Sequence, residues 1–428
     1  MRDGGVSSAS VKGMTDSSSP PEPRRAAVIF IFITVVLDML AVGMIVPVLP
    51  KLVVNFLGGD VARAAGMYGL FGTVWALMQF IFSPVLGALS DRYGRRPVIL
   101  LSNFGLGLDY ILMALAPTMA WLFLGRVISG ITAASFPTAG AYIADVTPVE
   151  KRAGAFGLLG AAFGIGFILG PAVGGILGNF DPRLPFWVAA GLSLVNALYG
   201  FFVLPESLSL DRRAAFTWRR ANPMGSLKLL RSHPELFSLA SVNLLGFIAH
   251  EVLPSVYVLY AGYRYGWDER TIGLSLAAVG VCSGLVQALL IRPIVARFGE
   301  RNALLAGLVF GVLGFFIFGL ASSGFAFWWG IPLTALWGLA GPAAQGLMSR
   351  RVGASEQGQL QGANSSLRGI SGMFGPGIFT LTFAAFIGAP SDWHLPGAPF
   401  YLAAVLLGAA GILAWRVTRA PADGPVDA

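Results

Sequence analysis

Residues 87–97 read Gly87-Ala88-Leu89-Ser90-Asp91-Arg92-Tyr93-Gly94-Arg95-Arg96-Pro97, a basic turn between two long apolar runs. Gly94 suits a tight turn and Pro97 suits the first turn of a following helix. Asp91 is placed to meet a helix N-terminus or an arginine. The turn has an echo. Ala296-Arg297-Phe298-Gly299-Glu300-Arg301 aligns with residues 91–96, and Gly375-Pro376 aligns with Gly170-Pro171, a shift of 205 both times. Two separate matches at one offset predict a duplicated unit.

Outward from this turn, apolar runs broken by charged or Gly/Pro-rich stretches predict twelve helices, at 27–50, 66–89, 97–116, 119–143, 153–178, 184–204, 237–261, 271–295, 302–321, 325–349, 360–387 and 395–416. The runs are continuous rather than alternating, which argues against barrel strands. Of 428 residues, 55% are hydrophobic and only 12% charged, about half the charge of a soluble domain. The fold class expected is therefore an all-α membrane protein with twelve transmembrane helices in two pseudo-symmetric six-helix bundles. The bundles would span 27–204 and 237–416, joined by a cytoplasmic loop at 205–236. Residues 1–26, rich in Ser, Pro and charge, read as a disordered cytoplasmic tail, and 417–428 as a second one. The first apolar run is too long for the core of a signal peptide and reads as the first span. Duplicated bundles of this kind place a substrate site between the halves near the bilayer midplane.

The charge balance of +8 is explained by where the charges sit. With the N-terminus inside, five of the 29 Lys and Arg fall outside (Lys51, Arg63, Arg183, Arg264, Arg270), and Arg126 and Arg368 lie within helices. The remainder fall in cytoplasmic segments. This positive-inside pattern predicts cytoplasmic termini, and nucleic acid is not needed to explain the basic balance. The lone cysteine, Cys282, forbids an intrachain disulfide and reads as inert packing.

Ionisable residues inside the spans are costly and mark candidate function. Asp38 lies near mid-depth in helix 1. Asp109 precedes the turn at Pro117 by eight residues and Arg126 follows it by nine, so antiparallel helices bring both to one depth. They form a candidate ion pair: either a coupling site, where a proton reaching Asp109 releases Arg126, or a purely structural bridge. Glu251 on helix 7 is a second proton site or a partner for Arg368 on helix 11. His250 reads as a packed, neutral neighbour. Gln79 and Gln287 either bond between helices or line the substrate cavity. Asp145, ending helix 4, reads as a cytoplasmic latch residue.

Helix 5 carries Gly166, Gly170, Pro171, Gly174, Gly175 and Gly178. Glycines at every fourth residue (166, 170, 174, 178) make a stripe that admits a close helix neighbour. Gly87, Asp91, Arg92, Gly94, Arg95 and Arg96 resemble the cytoplasmic signature of the major facilitator superfamily. The resemblance implies that Asp91 and its arginines latch the two halves in one conformation. Gly-x-x-x-Gly-Pro-x-x-Gly-Gly over 166–175 is similar to the motif of that superfamily's proton-driven drug antiporters.

The likeness narrows further, to the tetracycline-efflux branch, over roughly 28–416. It rests on Leu37-Asp38 through Pro50, Leu108-Asp109-Tyr110, Leu124 to Thr132, Gln345 to Ser349 and Glu356 to Gly362. It implies exchange of an external proton for a cytoplasmic drug, with Mg²⁺ carried as part of a chelated substrate and no resident cofactor. By resemblance, Asp38, Gln79, Asp109, Arg126 and Gln287 serve substrate or proton. The sequence departs from the branch at Phe310, where an acidic residue is expected, and at Ser283, where close members have histidine. Conversely, Glu251 stands where close members are uncharged.

These readings predict a proton-coupled antiporter for amphipathic drugs, monomeric, multi-pass in the inner membrane. A broad multidrug or metabolite exporter, and more remotely a transport-inactive sensor, are the alternatives. An enzyme is disfavoured, because the sequence offers no catalytic residues, metal-ligand cluster or nucleotide loop and only three histidines.

Overall fold

The structure, a computed structural model, describes residues 25–133, 135–148, 151–216, 229–230, 234–353, 356–388 and 394–419. Residues 1–24 and 420–428 of the predicted tails, and 217–228 and 231–233 of the loop between bundles, lie outside the described residues, while residues 25–26 and 417 belong to the terminal helices. No strand occurs among the described residues.

Among the described residues, ten helical stretches are long and apolar enough to cross a bilayer. One of these, Glu269–Leu320, is twice the needed length, and Gly299 inside it has φ 77° and ψ 162°, so the chain turns there and two spans result. A further span is interrupted by a 3-10 turn at Trp337–Leu339, between Gly324–Leu336 and Ala340–Ser349. Twelve spans follow, numbered in chain order. In the N-terminal half α1 is Arg25–Ile45 with its continuation Leu49–Phe56, and α2 is Val61–Tyr93. Next come α3 (Arg95–Leu115), α4 (Met119–Thr132 and Ser135–Val146), α5 (Arg152–Phe180) and α6 (Leu184–Val203). In the C-terminal half α7 is Pro234–His250 and Val252–Tyr265, and α8 runs from Glu269 to 298. Then follow α9 (300–320), α10 (324–349), α11 (Gln357–Ile387) and α12 (Ala398–Val417).

The repeat extends into backbone detail. Gly94 has φ 108° and ψ 159°, close to the values of its counterpart Gly299. Both conformations are ones that a Cβ disfavours, which is why glycine stands at each turn. The first residues of α3, α4 and α5 (Arg95, Met119, Arg152) recur in α9, α10 and α11 at 300, 324 and 357, again 205 apart. Helix breaks recur too. α1 breaks at 46–48, around Pro47, and α7 breaks at Glu251, which is Val46 carried forward by 205. Proline lacks an amide proton, so Pro254 leaves the His250 carbonyl without its helical donor and the break is stable.

Within a bilayer, apolar burial does not drive helices together, so close packing must. A Cβ on Gly170 would stand 2.7 Å from Gly43 Cα, which shows that α5 and α1 are in backbone contact. The C-terminal half is held instead by interlocked rings, with Phe318 and Phe327 stacked at 4.2 Å and Tyr260 donating to the Phe318 carbonyl at 3.0 Å.

Most contact between the halves is made by α2 with α11 and by α5 with α8, and α7 adds contacts to α2 and to the Leu49–Phe56 part of α1. The α5–α8 contacts gather toward the end bearing Asp181 and Glu269: Gly175 abuts Glu269 and Gly273, and Gly280 abuts Ile168. Toward the basic turn, Gly154, Gly157, Gly160 and Gly164 of α5 face open space. The halves thus meet on the face opposite the basic turns (the far face) and part toward the basic face.

Candidate functional site

Asp109 of α3 and Arg126 of α4 come together at the depth their spacing predicts, Arg126 Nη2 lying 3.9 Å from Asp109 Oδ2. Asp109 is only 1% exposed. Neither carboxylate oxygen receives a hydrogen bond, and Arg126 donates instead to Met113 Sδ at 3.2 Å. Gly125 leaves room for this, since a Cβ there would sit 2.8 Å from Asp109 Oδ1. The pair is held by charge and packing alone. A proton arriving at Asp109 therefore removes a Coulombic attraction without having to break a directed bond, which frees Arg126 to move.

Asp38 lies elsewhere. It is 2% exposed, wedged among α1, α3 and α6 rather than facing the cleft between halves. Asn196 Nδ2 donates to its Oδ1 at 2.9 Å, and Asn103, with its amide nitrogen turned inward, donates to both oxygens at 3.1 Å. Carboxamide donors of this kind satisfy a buried carboxylate and fix three helices together. Sequence reasoning placed Asp38 at mid-depth but missed both asparagines, which lie on other helices and carry no charge.

The basic turn forms a charged network centred on Arg95. Arg95 bridges Asp91 (2.5 Å) and Asp145 (3.0 Å), and Asp145 also accepts from Ser207 Oγ at 3.1 Å. Of the two partners open to Asp91, the arginine is the one it takes. The α3 N-terminus is taken by Glu206, which accepts from the amides of Arg95 (2.8 Å) and Arg96 (3.3 Å). A carboxylate there satisfies donors that a helix leaves free and complements the helix dipole. Nothing local marked Glu206, which lies over a hundred residues away. Arg92 stacks over Tyr93, and Arg96 donates to the Phe201 carbonyl. Gly87 accepts through its carbonyl from Ser90 Oγ at 2.7 Å. The resemblance implied that Asp91 and its arginines latch the two halves in one conformation. In this structure, where the halves have parted on this face, these bonds stay within the N-terminal half and the segment that follows it. The corresponding pair in the C-terminal half, Glu300 with Arg350 at 3.1 Å, occupies the positions of Arg95 and Asp145 with the charges exchanged.

The glycine stripe serves two neighbours. Gly166, Gly170 and Gly174 lie on α1, against Met39, Gly43 and Met44, and Pro171 is accommodated within α5. Gly175 points to the other half and meets Glu269 and Gly273 of α8. The four-residue period revealed the first contact and could not reveal the second, since Gly175 lies off the stripe.

In the C-terminal half, Glu251 sits at the α7 break against Gly375, the partner in the Gly-Pro repeat. It makes no ion pair with Arg368 among the described residues; Arg368 stacks on Phe247 with its guanidinium carbon 4.6 Å from the ring centroid. His250 keeps accessible surface, and its ring lies 5.8 Å from that of Trp337. Gln287 is exposed within a π turn, Val286–Leu290, that interrupts α8. Gln79 is half-buried on α2, beside Phe80, against which Gly369 of α11 packs. Phe310 and Ser283 are both half-buried.

Among the described residues, Lys51 and Tyr68 make polar contacts that cross between the halves. Lys51 Nζ meets Glu269 Oε2 at 2.7 Å, with Glu269 itself 4% exposed, and Tyr68 donates to the Pro254 carbonyl at 3.2 Å. Sequence reasoning found neither, since each joins residues about two hundred positions apart.

The sequence profile of the Major Facilitator Superfamily matches residues 31–376. Tetracycline resistance protein, class C, of Escherichia coli is 39% identical over 383 residues, covering 88% of this chain and 94% of that one. The solved structure of the human organic anion transporter MFSD10 (TETRAN) is 25% identical, with a TM-score of 0.68, over 92% of this chain and 100% of that one. An inward-facing bacterial homolog of the human lysosomal transporter Spinster has a TM-score of 0.74 at 18% identity, over 93% and 98% of the two chains.

Proposed function

The chain belongs to the Major Facilitator Superfamily, and on that premise we propose that it exports tetracycline-class drugs from the cytoplasm in exchange for protons. The observation that carries the proposal is the Asp109–Arg126 pair: a buried carboxylate and a largely buried guanidinium with no hydrogen bond between them, within an apolar helix pair. Charges are costly in a bilayer, and those kept there mark paths for protons or charge. In this reading the basic face is cytoplasmic, as the positive-inside pattern indicates, and both termini lie on that side of the inner membrane. The cleft open to the basic face receives the drug from the cytoplasm. Closure there and parting at the far face then deliver it outside.

A proton from the external side reaches Asp109, frees Arg126 and biases the halves back toward the cytoplasmic opening. Mg²⁺ travels as part of the chelated drug. The protein holds no resident cofactor and works as a monomer. Asp38 serves as a structural anchor of the N-terminal half, and Gln79 and Gln287 line the route. Similarity to the organic anion transporter and the departures at Phe310 and Ser283 favour, as a second reading, a broader exporter of organic anions.

The test uses inverted membrane vesicles containing the full chain, with the lumen made acidic. Accumulation of tetracycline–Mg²⁺ that collapses with the gradient supports the proposal. Accumulation that ignores the gradient refutes proton drive. Accumulation of planar organic anions without tetracycline supports the second reading.

A further inference from the structure

Arg368 is exposed although it lies eleven residues into the 31-residue α11. A guanidinium at that depth cannot face acyl chains, so it faces the cleft. It forms no ion pair or hydrogen bond among the described residues; its guanidinium lies over the ring of Phe247, with the Glu251 charge in its wider surroundings. Cation–π stacking uses the flat side of the guanidinium and leaves its in-plane N–H fork free. Glu251, four residues beyond Phe247, turns against Gly375 instead.

One turn along α7 from Phe247, the exposed His250 ring lies beside Trp337 at 5.8 Å. Trp337 is held in place from behind. It packs on Phe315 at 5.5 Å, it opens the 3-10 turn that interrupts α10, and Gly311 gives it space, a Cβ there falling 2.9 Å from Trp337 Cγ. The neighbouring Gly338 approaches Val286 of the π turn in α8. Breaks in α7, α8 and α10 therefore gather around these side chains.

Arg368 is also foreign to the duplicated scaffold. Its counterpart 205 residues earlier is Phe163, and the counterparts of His250 and Glu251 are Ile45 and Val46. A duplicated frame does not require these groups, so their placement answers a need of the C-terminal half alone.

We infer that Arg368, with Phe247, His250 and Trp337, forms a substrate subsite for a planar conjugated ligand bearing delocalised anionic oxygens. The rings accept the ligand plane, and the free N–H fork pairs with adjacent oxygens, a geometry that lysine cannot reproduce. The inference rests on the proposed transport of such drugs and assigns that substrate its anchor in the C-terminal half.

The test measures equilibrium binding to the purified full chain by quenching of tryptophan emission. Its probes are tetracycline–Mg²⁺, a sulfonated anthraquinone and an uncharged carboxamide analogue of that anthraquinone. Arg368→Gln is expected to weaken both anionic probes about tenfold or more and to leave the uncharged one unchanged. Arg368→Lys, which keeps the charge and guards against a folding artefact, recovers only part of the loss. Trp337→Ala weakens all three. Wild-type affinity of Arg368→Gln for both anionic probes overturns the subsite. Failure of tetracycline–Mg²⁺ to bind wild type, with the sulfonated probe still dependent on Arg368, supports the subsite and refutes the substrate reading alone.

Discussion

Asp109 and Arg126 sit 3.9 Å apart without a shared hydrogen bond, and this looseness sets what each substitution should do. Asp109→Asn removes the proton site while keeping its shape. Drug binding is expected to persist and proton-driven accumulation to fall to background in vesicle assays. Arg126→Gln leaves a buried carboxylate without a counter-charge, a loss of about 3 kcal/mol that thermal unfolding in detergent reads directly. The double variant Asp109→Asn/Arg126→Gln regains most of that stability and none of the coupling. The pair was legible in the sequence because its two members flank one turn. The Asp38 anchor was half legible: its depth follows from position in α1, whereas Asn103 and Asn196 reach it from α3 and α6 and leave no pattern along the chain.

Among elements, α5 shows two kinds of glycine contact that substitution should separate. Gly170→Val forces a branched side chain into Gly43 of the same half, so it should cost about 1–3 kcal/mol of stability. Gly175→Ala collides with Glu269 and Gly273 across the halves, so it should spare the unfolding temperature and open the far face. Labelling of a cysteine placed at Thr380, which is fully buried against Gly69 across the halves, reads that opening. The N-terminus of α8 carries its own pH signature. Asp268 caps the helix by accepting from the Thr271 amide at 2.9 Å. Bonds from Thr271 hold its carboxyl below the ordinary range, with Lys51 contributing. A depressed carboxylate stabilises above its unfolded pKa, and that contribution is lost as pH falls through the lowered value. Asp268→Asn keeps a capping oxygen and should flatten this acid limb of the stability profile. Helix existence and order were legible from apolar run length. The breaks at Glu251, Val286–Leu290 and Trp337–Leu339 were not, because an apolar run reads the same whether its backbone is α, π or 3-10.

At the scale of the whole molecule, the duplication is the most legible feature, and the relation between its halves is the least. The shift of 205 survives in glycine conformation, helix starts and the exchanged charges of Arg95–Asp145 and Glu300–Arg350. The closure of the far face rests on contacts between halves that no local pattern encodes, Lys51–Glu269 and Tyr68–Pro254. If that closure holds the cytoplasm-facing state, Lys51→Met should leave Glu269 buried without its partner and shift the population outward. A reducible bis-methanethiosulfonate cross-link between cysteines at 51 and 269, which spans the length of the two side chains it replaces, should arrest transport reversibly.

The central claim is that drug and proton move in opposite directions through Asp109. Proteoliposomes enclosing a pH-sensitive dye, with the chain oriented basic face outward, test it when tetracycline–Mg²⁺ is added outside. Wild type should alkalinise the lumen as drug enters, and Asp109→Asn should bind drug without any pH change. Drug entry with a constant lumenal pH, or the same alkalinisation in Asp109→Asn, would contradict the account.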